Sequence, residues 1–122
     1  KAHTNLQGGV MAKTRWITEM GMGVDVHGGD YTKAARRAVS DALRHSSLNL
    51  FNATGKTRAD MFVDVIIGVA EPGQVDCDAV AEEVPYGTVT VTAQKGGLDV
   101  TAPSGEDVLI MANAAILVSF ED

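Results

Sequence analysis

The closing stretch of the chain, residues 107–120 (DVLIMANAAILVSF), constrains the fold more than any other segment. It is apolar almost throughout, has β-branched residues toward both ends, and contains neither glycine nor a helical stripe of charge. A run of this length and composition is typical of a long strand that is covered on both sides. The rest of the chain must therefore supply helices for one face of a sheet and some other cover for the second face.

The remaining segments show two periods, one typical of strands and one typical of helices. Strands are predicted over residues 14–24, 58–69, 87–94, 98–101 and 107–120. Helices are predicted over residues 31–47 and 76–84. Strands 87–94 and 98–101 flank Lys95-Gly96-Gly97, which predicts a hairpin. The order β-α-β-α-β-β-β predicts a two-layer α+β sandwich with two helices on one face of a mixed sheet.

One domain accounts for the chain. Its 122 residues are 45% apolar and 21% charged, which are the averages of a globular domain. Residues 1–10 lack periodicity and precede Met11, so we interpret them as a leader or cloning remnant. Residues 11–122 are then a single α+β domain.

Charge and cysteine content exclude several classes of function. The net charge is −6, from 10 Lys and Arg against 16 Asp and Glu, so no basic footprint for nucleic acid or an anionic membrane is present. No run approaches the ~18 apolar residues of a membrane span, and we expect a cytoplasmic protein. The lone Cys77 excludes an intramolecular disulfide and a cysteine-cluster metal site.

The sheet face without helices is expected to carry Glu19, Asp64, Asn113 and Ser119 among aliphatic residues. Such a face is too apolar for open water and too polar for an ordinary core. We expect a second copy of the chain to cover it, with the polar residues pairing across the interface or lining a pocket. Asp64, in the middle of a strand, would need a partner such as Lys33. The low aromatic content, 5%, also suits a core completed between subunits.

Residues 19–30 (EMGMGVDVHGGD) hold the densest concentration of glycine and ionisable side chains. Gly21 and Gly23 lie inside a strand, which indicates close approach by another backbone or a ligand. The third glycine of a dinucleotide fingerprint would be Val26, which disfavours a phosphate site. Asp30 is expected to cap the helix that follows.

Asp25 and His27 are the candidate chemical groups of this loop. They are two residues apart in the sequence, and Glu19 is nearby. This arrangement suits a histidine general base oriented by a carboxylate, or a divalent cation site. A solvated turn with a helix cap is the alternative. We predict His27, Asp25 and Glu19 as catalytic residues, without a metal, and the sequence identifies no cofactor. The predicted ligand-binding residues are Gly21, Gly23, Gly28, Asp30, Lys33, Asp64 and Asn113.

Residues 19–35 (EMGMGVDVHGGDYTKAA), with VDVIIGV, VPYGTVTV and MANAAILV further along, resemble a family of short conserved bacterial proteins named after a Listeria open reading frame. The resemblance covers almost all of residues 13–120. It implies a small stand-alone α+β domain, and it carries no established activity or catalytic residues.

A looser resemblance links the chain to one repeat of the ring-opening amidohydrolases, the cyanuric acid hydrolase and barbiturase group. It rests on a strand, a glycine-rich loop and residues 30–33 (DYTK) opening a helix. In those enzymes three similar domains surround a site built from lysine and serine of each, which implies a trimer here. Their lysine just after the first strand has no counterpart between Glu19 and Asp30, so a serine–lysine mechanism is not carried over.

Three functions are consistent with these features. The first is a homo-oligomer, with a trimer favoured, that binds a small metabolite at subunit clefts lined by residues 19–30 and uses acid–base chemistry. The second is a hydrolase or isomerase using Lys33 with Ser119 or Asn113. The third is a non-catalytic assembly or accessory subunit. We favour the first because acidic residues and glycines converge where a strand ends and a helix begins.

Overall fold

The computed structural model describes residues 13–44 and 60–121 of the chain. The strands are β1 (Lys13–Asp25), β2 (Phe62–Val69), β3 (Thr88–Lys95), β4 (Leu98–Thr101) and β5 (Val108–Glu121). The helices are α1 (Tyr31–Arg44) and α2 (Cys77–Ala81), with a 3₁₀ turn at Pro72–Gln74. This order confirms the predicted α+β class. Residues 1–10, predicted as a leader, lie outside the described residues.

The strands form one mixed sheet in the order β1-β5-β2-β3. β5 is antiparallel to β1 on one side and to β2 on the other, and β2 is parallel to β3. The long apolar segment is therefore an interior strand of the sheet, paired along both edges. Its helix-side residues are buried, whereas those on the other face are half-buried or exposed in the single chain. β1 and β2 are both antiparallel to β5, so they are parallel to each other. α1 therefore lies in the connection between two parallel strands that flank β5.

β4 corrects the predicted hairpin. It pairs with β5 over Leu98–Thr101, in line with the end of β2, rather than with β3. Gly97 has a φ of +62°, and a Cβ there would lie 2.2 Å from the carbonyl oxygen of Met111. A Cβ at Gly96 would lie 3.1 Å from the Cα of Gly68, near the end of β2. A Gly-Gly pair is also the usual signal of a hairpin turn, so the local sequence does not distinguish a turn from this crossing.

The core lies between the sheet and the helices. Its buried side chains are mostly alanine, valine and isoleucine: Ala34, Ala35, Ala38, Val39 and Ala42 of α1; Val63, Val65, Ile67 and Val69 of β2; and Ile110, Ala112, Ala114, Ile116, Val118 and Phe120 of β5. Large side chains thus come from the sheet and small ones from α1. The alanine face of α1 allows the helix to approach the sheet closely.

The close packing of α1 shows that β1 turns the opposite side toward the helix from the one expected. A Cβ at Gly21 would lie 2.4 Å from the carbonyl oxygen of Ala38, and one at Gly23 would lie 2.3 Å from that of Ala34. Both glycines therefore face α1, and Glu19, which shares their parity, lies on the helix side too. The prediction that Glu19 shares a face with Asp64 was wrong. The helix packs against the side of β1 that has glycine at residues 21 and 23, and strand alternation places Glu19 on that same side.

We call the other side of the sheet the open face. Its apolar members are Met20, Met22 and Val24 of β1, Phe62 and Ile66 of β2, Leu98 and Val100 of β4, and Leu109, Met111, Ala115 and Leu117 of β5. Asp64 and Asn113 also lie there, and both are exposed. Asp64 therefore carries no burial penalty and needs no ionic partner, contrary to the sequence-based expectation.

We expect Gly23→Ala to lower the free energy of unfolding by about 3 kcal/mol, because the new methyl group meets helix backbone that cannot move independently. Gly73→Ala is the matched control, since nothing lies within 4 Å of its Cβ position. Urea denaturation measures both. Equal midpoints for the two variants would contradict the close contact between β1 and α1.

Candidate functional site

The junction between β1 and α1 is a tight turn over residues 26–30. Gly28 and Gly29 have φ values of +87° and +61°, a conformation that other residues rarely adopt. Asp30 then begins the helix, and its Oδ1 accepts a hydrogen bond from the Lys33 N–H at 3.0 Å. The predicted helix cap is confirmed.

Asp25 is the buried acid of this junction, with only 2% of its surface exposed. Its Oδ2 accepts a hydrogen bond from the Asp30 N–H at 2.9 Å. Its Oδ1 lies 3.8 Å from Lys33 Nζ and 3.9 Å from Arg37 NH1. The carboxylate thus ties the end of β1 to the turn and to the first two turns of α1. The structure brings together the predicted residues Asp25, Asp30 and Lys33.

Side chains of α1 also cover the outer edge of β1. Arg37 NH1 donates to the Val24 carbonyl at 2.6 Å, and Asp41 Oδ2 accepts from the Met22 N–H at 3.0 Å. These bonds satisfy backbone groups of an edge strand that would otherwise be available for pairing. The sequence did not predict either contact, because helical periodicity shows which residues face away from the core but not which strand edge they reach.

His27 lies on the turn and is 82% exposed. Its Nδ1 is 3.4 Å from Oδ2 of Asp107, at the start of β5, which is 46% exposed. The carboxylate beside His27 is therefore Asp107 rather than Asp25, whose oxygens turn to the Asp30 amide and α1. The position of Asp107 was a usable signal, because it immediately precedes β5, and β5 pairs with the end of β1. The sequence alone did not show that pairing.

The other predicted site residues lie apart from this cluster. Glu19 is on the helix side beside Leu43 and Tyr86, in the middle of β1 and six residues before Asp25. Asp64 and Asn113 are on the open face, and Ser119 shares the orientation of Asn113 along β5. Within one chain the sheet therefore lies between Lys33 and both Asn113 and Ser119.

A hydrogen bond that sequence reasoning missed joins α1 to β4. The Tyr31 hydroxyl donates to Oδ2 of Asp99, and this bond, with burial and the negative charges of Asp99 and Glu71, raises the pKa of Tyr31 to about 12. Asp99 Oδ1 is buried and has no hydrogen-bond partner among the described residues. The position of β4 beside β5, which no local pattern predicts, creates this contact.

A groove of about 430 Å³ runs along the outer side of α1. Its lining is charged, but each cation already has a carboxylate. Arg36 pairs with Glu83 at 2.6 Å, which raises the pKa of the guanidinium, and Lys33 and Arg37 lie next to Asp25. The groove is therefore a neutralised surface rather than a basic one.

Two further observations concern metals and membranes. In residues 13–44 and 60–121, no cluster of three or more His, Cys, Asp or Glu side chains could hold a metal ion. No helix in that part of the chain is long and apolar enough to span a membrane.

We expect Tyr31→Phe to lower the free energy of unfolding at neutral pH by about 2 kcal/mol, because the Asp99 carboxylate loses its donor. The pKa of Tyr31 is raised on folding, so its bond stabilises the protein fully below pH ~10 and is lost as the pH rises through about 12. Absorbance titration of tyrosinate and alkaline unfolding measure this. Asp99→Asn, which removes the charge, should move the Tyr31 pKa back toward its ordinary value. An alkaline profile that Tyr31→Phe leaves unchanged would contradict the assignment.

Comparison with known proteins identifies the family and the fold. No functionally curated protein matches the sequence. The crystal structure of an FtsZ-like protein of unknown function from Nostoc punctiforme is 36% identical, covers 92% of this chain and 99% of its own, and has a TM-score of 0.82. The model of a family described as conserved hypothetical protein (Lin0512_fam) matches residues 15–118. The chain therefore belongs to the Lin0512 family.

Proposed function

We propose that the protein is a homo-oligomer, with three copies favoured, which binds a small metabolite in a cleft between subunits at the turn after β1. The open face forms the subunit contact. His27, with Asp107 as its carboxylate partner, supplies acid–base chemistry at the rim, and Asp25 positions the turn. The number three comes from the amidohydrolase resemblance, in which three similar domains surround one site.

The observation that carries this proposal is the exposure of large apolar side chains on the open face. Met20 is 67% exposed, Leu98 54% and Met22 53%, although the chain has a well-filled core on the other side of the sheet. Soluble monomers rarely leave a contiguous apolar patch of this kind in water, and such patches mark interaction sites. Methionine is also common at surfaces that bind partners, because its flexible side chain adapts to the opposing surface.

The apolar patch continues to the turn that carries His27. Val24 and Val26 are 45% and 44% exposed, and Val100 across the sheet is 47% exposed. A subunit packed against this end of the open face would therefore lie beside His27 and Asp107. Partial enclosure there would create a cleft with apolar walls and a polar pair at its rim, which is the usual make-up of a small-molecule site.

His27 and Asp107 can act as a proton-transfer pair in such a cleft. An imidazole that contacts a carboxylate through Nδ1 presents Nε2 to a ligand, and the carboxylate orients the ring. Asp25 supports this geometry from behind, because it binds the Asp30 amide at the far end of the same turn. Its replacement would displace His27 without touching the ligand.

We expect Met20→Glu to break the open-face contact and so lower the mass of the wild-type assembly, since a carboxylate buried in an apolar contact loses its hydration without compensation. Gln74→Glu, which makes the same charge change at an exposed position of the 3₁₀ turn, should keep the wild-type mass. Native mass spectrometry measures both. A wild-type protein that is already a single chain would contradict the proposed oligomer.

We expect the wild-type assembly to retain a bound metabolite in native mass spectrometry and His27→Ala to lose it. The free energy of unfolding should change by less than about 0.5 kcal/mol, because His27 is exposed. A wild-type assembly of bare subunits would instead favour the alternative of a non-catalytic assembly subunit, to which the apolar face is equally suited. Unfolding of His27→Ala would show a structural role for the ring.

A further inference from the structure

The two edges of the sheet differ in how their backbone is covered. At the β1 edge, Asp41 and Arg37 of α1 bind the Met22 N–H and the Val24 carbonyl. At the other edge lies β3, which pairs with β2 alone. In the part of the chain that the structure describes, no further strand pairs with β3, and no backbone hydrogen bond from a turn or loop reaches its outer side.

The backbone groups on that outer side can be identified. At the two ends of β3, the Thr88 N–H donates to the Met61 carbonyl at 2.8 Å and the Gly96 N–H to the Val69 carbonyl at 2.9 Å. Even-numbered residues therefore bond toward β2. Successive residues of a strand direct their backbone groups to opposite sides, so those of Val89, Val91 and Ala93 point away from the sheet.

The usual devices that protect an edge strand are missing from most of β3. Residues 88–94 (TVTVTAQ) contain no proline and no charge, and their pairing with β2 runs without a bulge. Seven residues present an edge of about 23 Å. A regular uncharged edge of this length is a template for pairing with another strand.

We propose that β3 pairs antiparallel with β3 of a second copy, in the register that places Val91 opposite Val91, so that two sheets become continuous. This register sets Val89 opposite Ala93 and Thr90 opposite Thr92. Apolar side chains then meet on the helix side and threonines meet on the open face, combinations that stabilise strand pairs. Val89, Val91 and Ala93 are the outward-directed residues, so each of these pairs exchanges two backbone hydrogen bonds.

Charge selects the antiparallel arrangement. Lys95 is the single charged residue of β3. A parallel in-register pair would place the two Lys95 ammonium groups side by side, whereas the antiparallel pair places them at opposite ends. The contact uses the same surface on both copies about a two-fold axis, so it closes with two chains and does not propagate into fibres.

This contact is separate from the open-face contact of the proposed function. In a closed assembly that contains both contacts, the edge contact doubles the number of chains that the open face alone joins. The Met20→Glu variant, in which the open face is blocked, should therefore still pair through β3. Failure of the proposed oligomer and failure of the edge contact are distinguishable in this variant.

The test is residue-resolved amide hydrogen exchange on the full chain. We expect the Val89, Val91 and Ala93 amides to exchange roughly tenfold or more slowly at high protein concentration than after dilution to the unpaired mass. The Thr90 and Thr92 amides bond to β2 and should stay slow throughout, which is the internal control. Outward amides that exchange fast at every concentration, or slowly at every concentration, would overturn the proposal.

Two double variants separate edge pairing from other causes of protection. T90K/T92K places lysines opposite lysines of the second copy, and should halve the mass and speed the outward amides roughly tenfold. T90K/T92E places lysine opposite glutamate and should restore pairing. Asp64, the β2 neighbour of Thr90, is common to both variants and does not explain a difference between them. Identical masses for the two variants would overturn the proposal.

Discussion

The backbone contact between α1 and β1 determines most of the structure. Gly21 and Gly23 leave no side chain on the strand side of the contact, and Ala34 and Ala38 contribute only methyl groups on the helix side. The two elements therefore touch through backbone atoms, with dispersion contacts that larger residues would prevent. The cost is that β1 contributes little apolar volume to the core over residues 18–25, whose side chains the structure describes. Its large side chains must lie on the opposite side of the sheet.

That consequence connects the fold to the proposed assembly. A strand with glycine on its inner face and methionine or valine on its outer face produces an apolar surface in water as soon as the helix packs. The same close approach brings the charged side chains of α1 over the edge of β1, where Arg37 and Asp41 bind backbone groups that would otherwise remain available for pairing. One contact thus closes one edge of the sheet and leaves one face open. The covered edge and the open face both extend to the His27 turn, because β1 ends at that turn.

Much of the fold was accessible from local pattern, and the site less so. Period-two alternation and the capping position of Asp30 predicted the elements and the start of α1, because both depend on neighbours within a few residues. Gly96-Gly97 was misinterpreted, since the same dipeptide that makes a tight hairpin also permits a crossing over Gly68. Asp107 and Asp99 were missed as partners of His27 and Tyr31 for a related reason. Their contacts join residues 80 and 68 positions apart and depend on strand pairing.

The sequence by itself determined the class of the fold, the existence of the long apolar strand and that of a glycine-rich junction, because composition and period act locally. The tertiary structure alone decided which side of β1 meets the helix. Alternation assigns residues to two faces but does not say which face is inside, and here the inner face is the one with glycine. The distance between helix and strand made that choice, and with it the sides of the sheet on which Glu19 and the methionines of β1 lie.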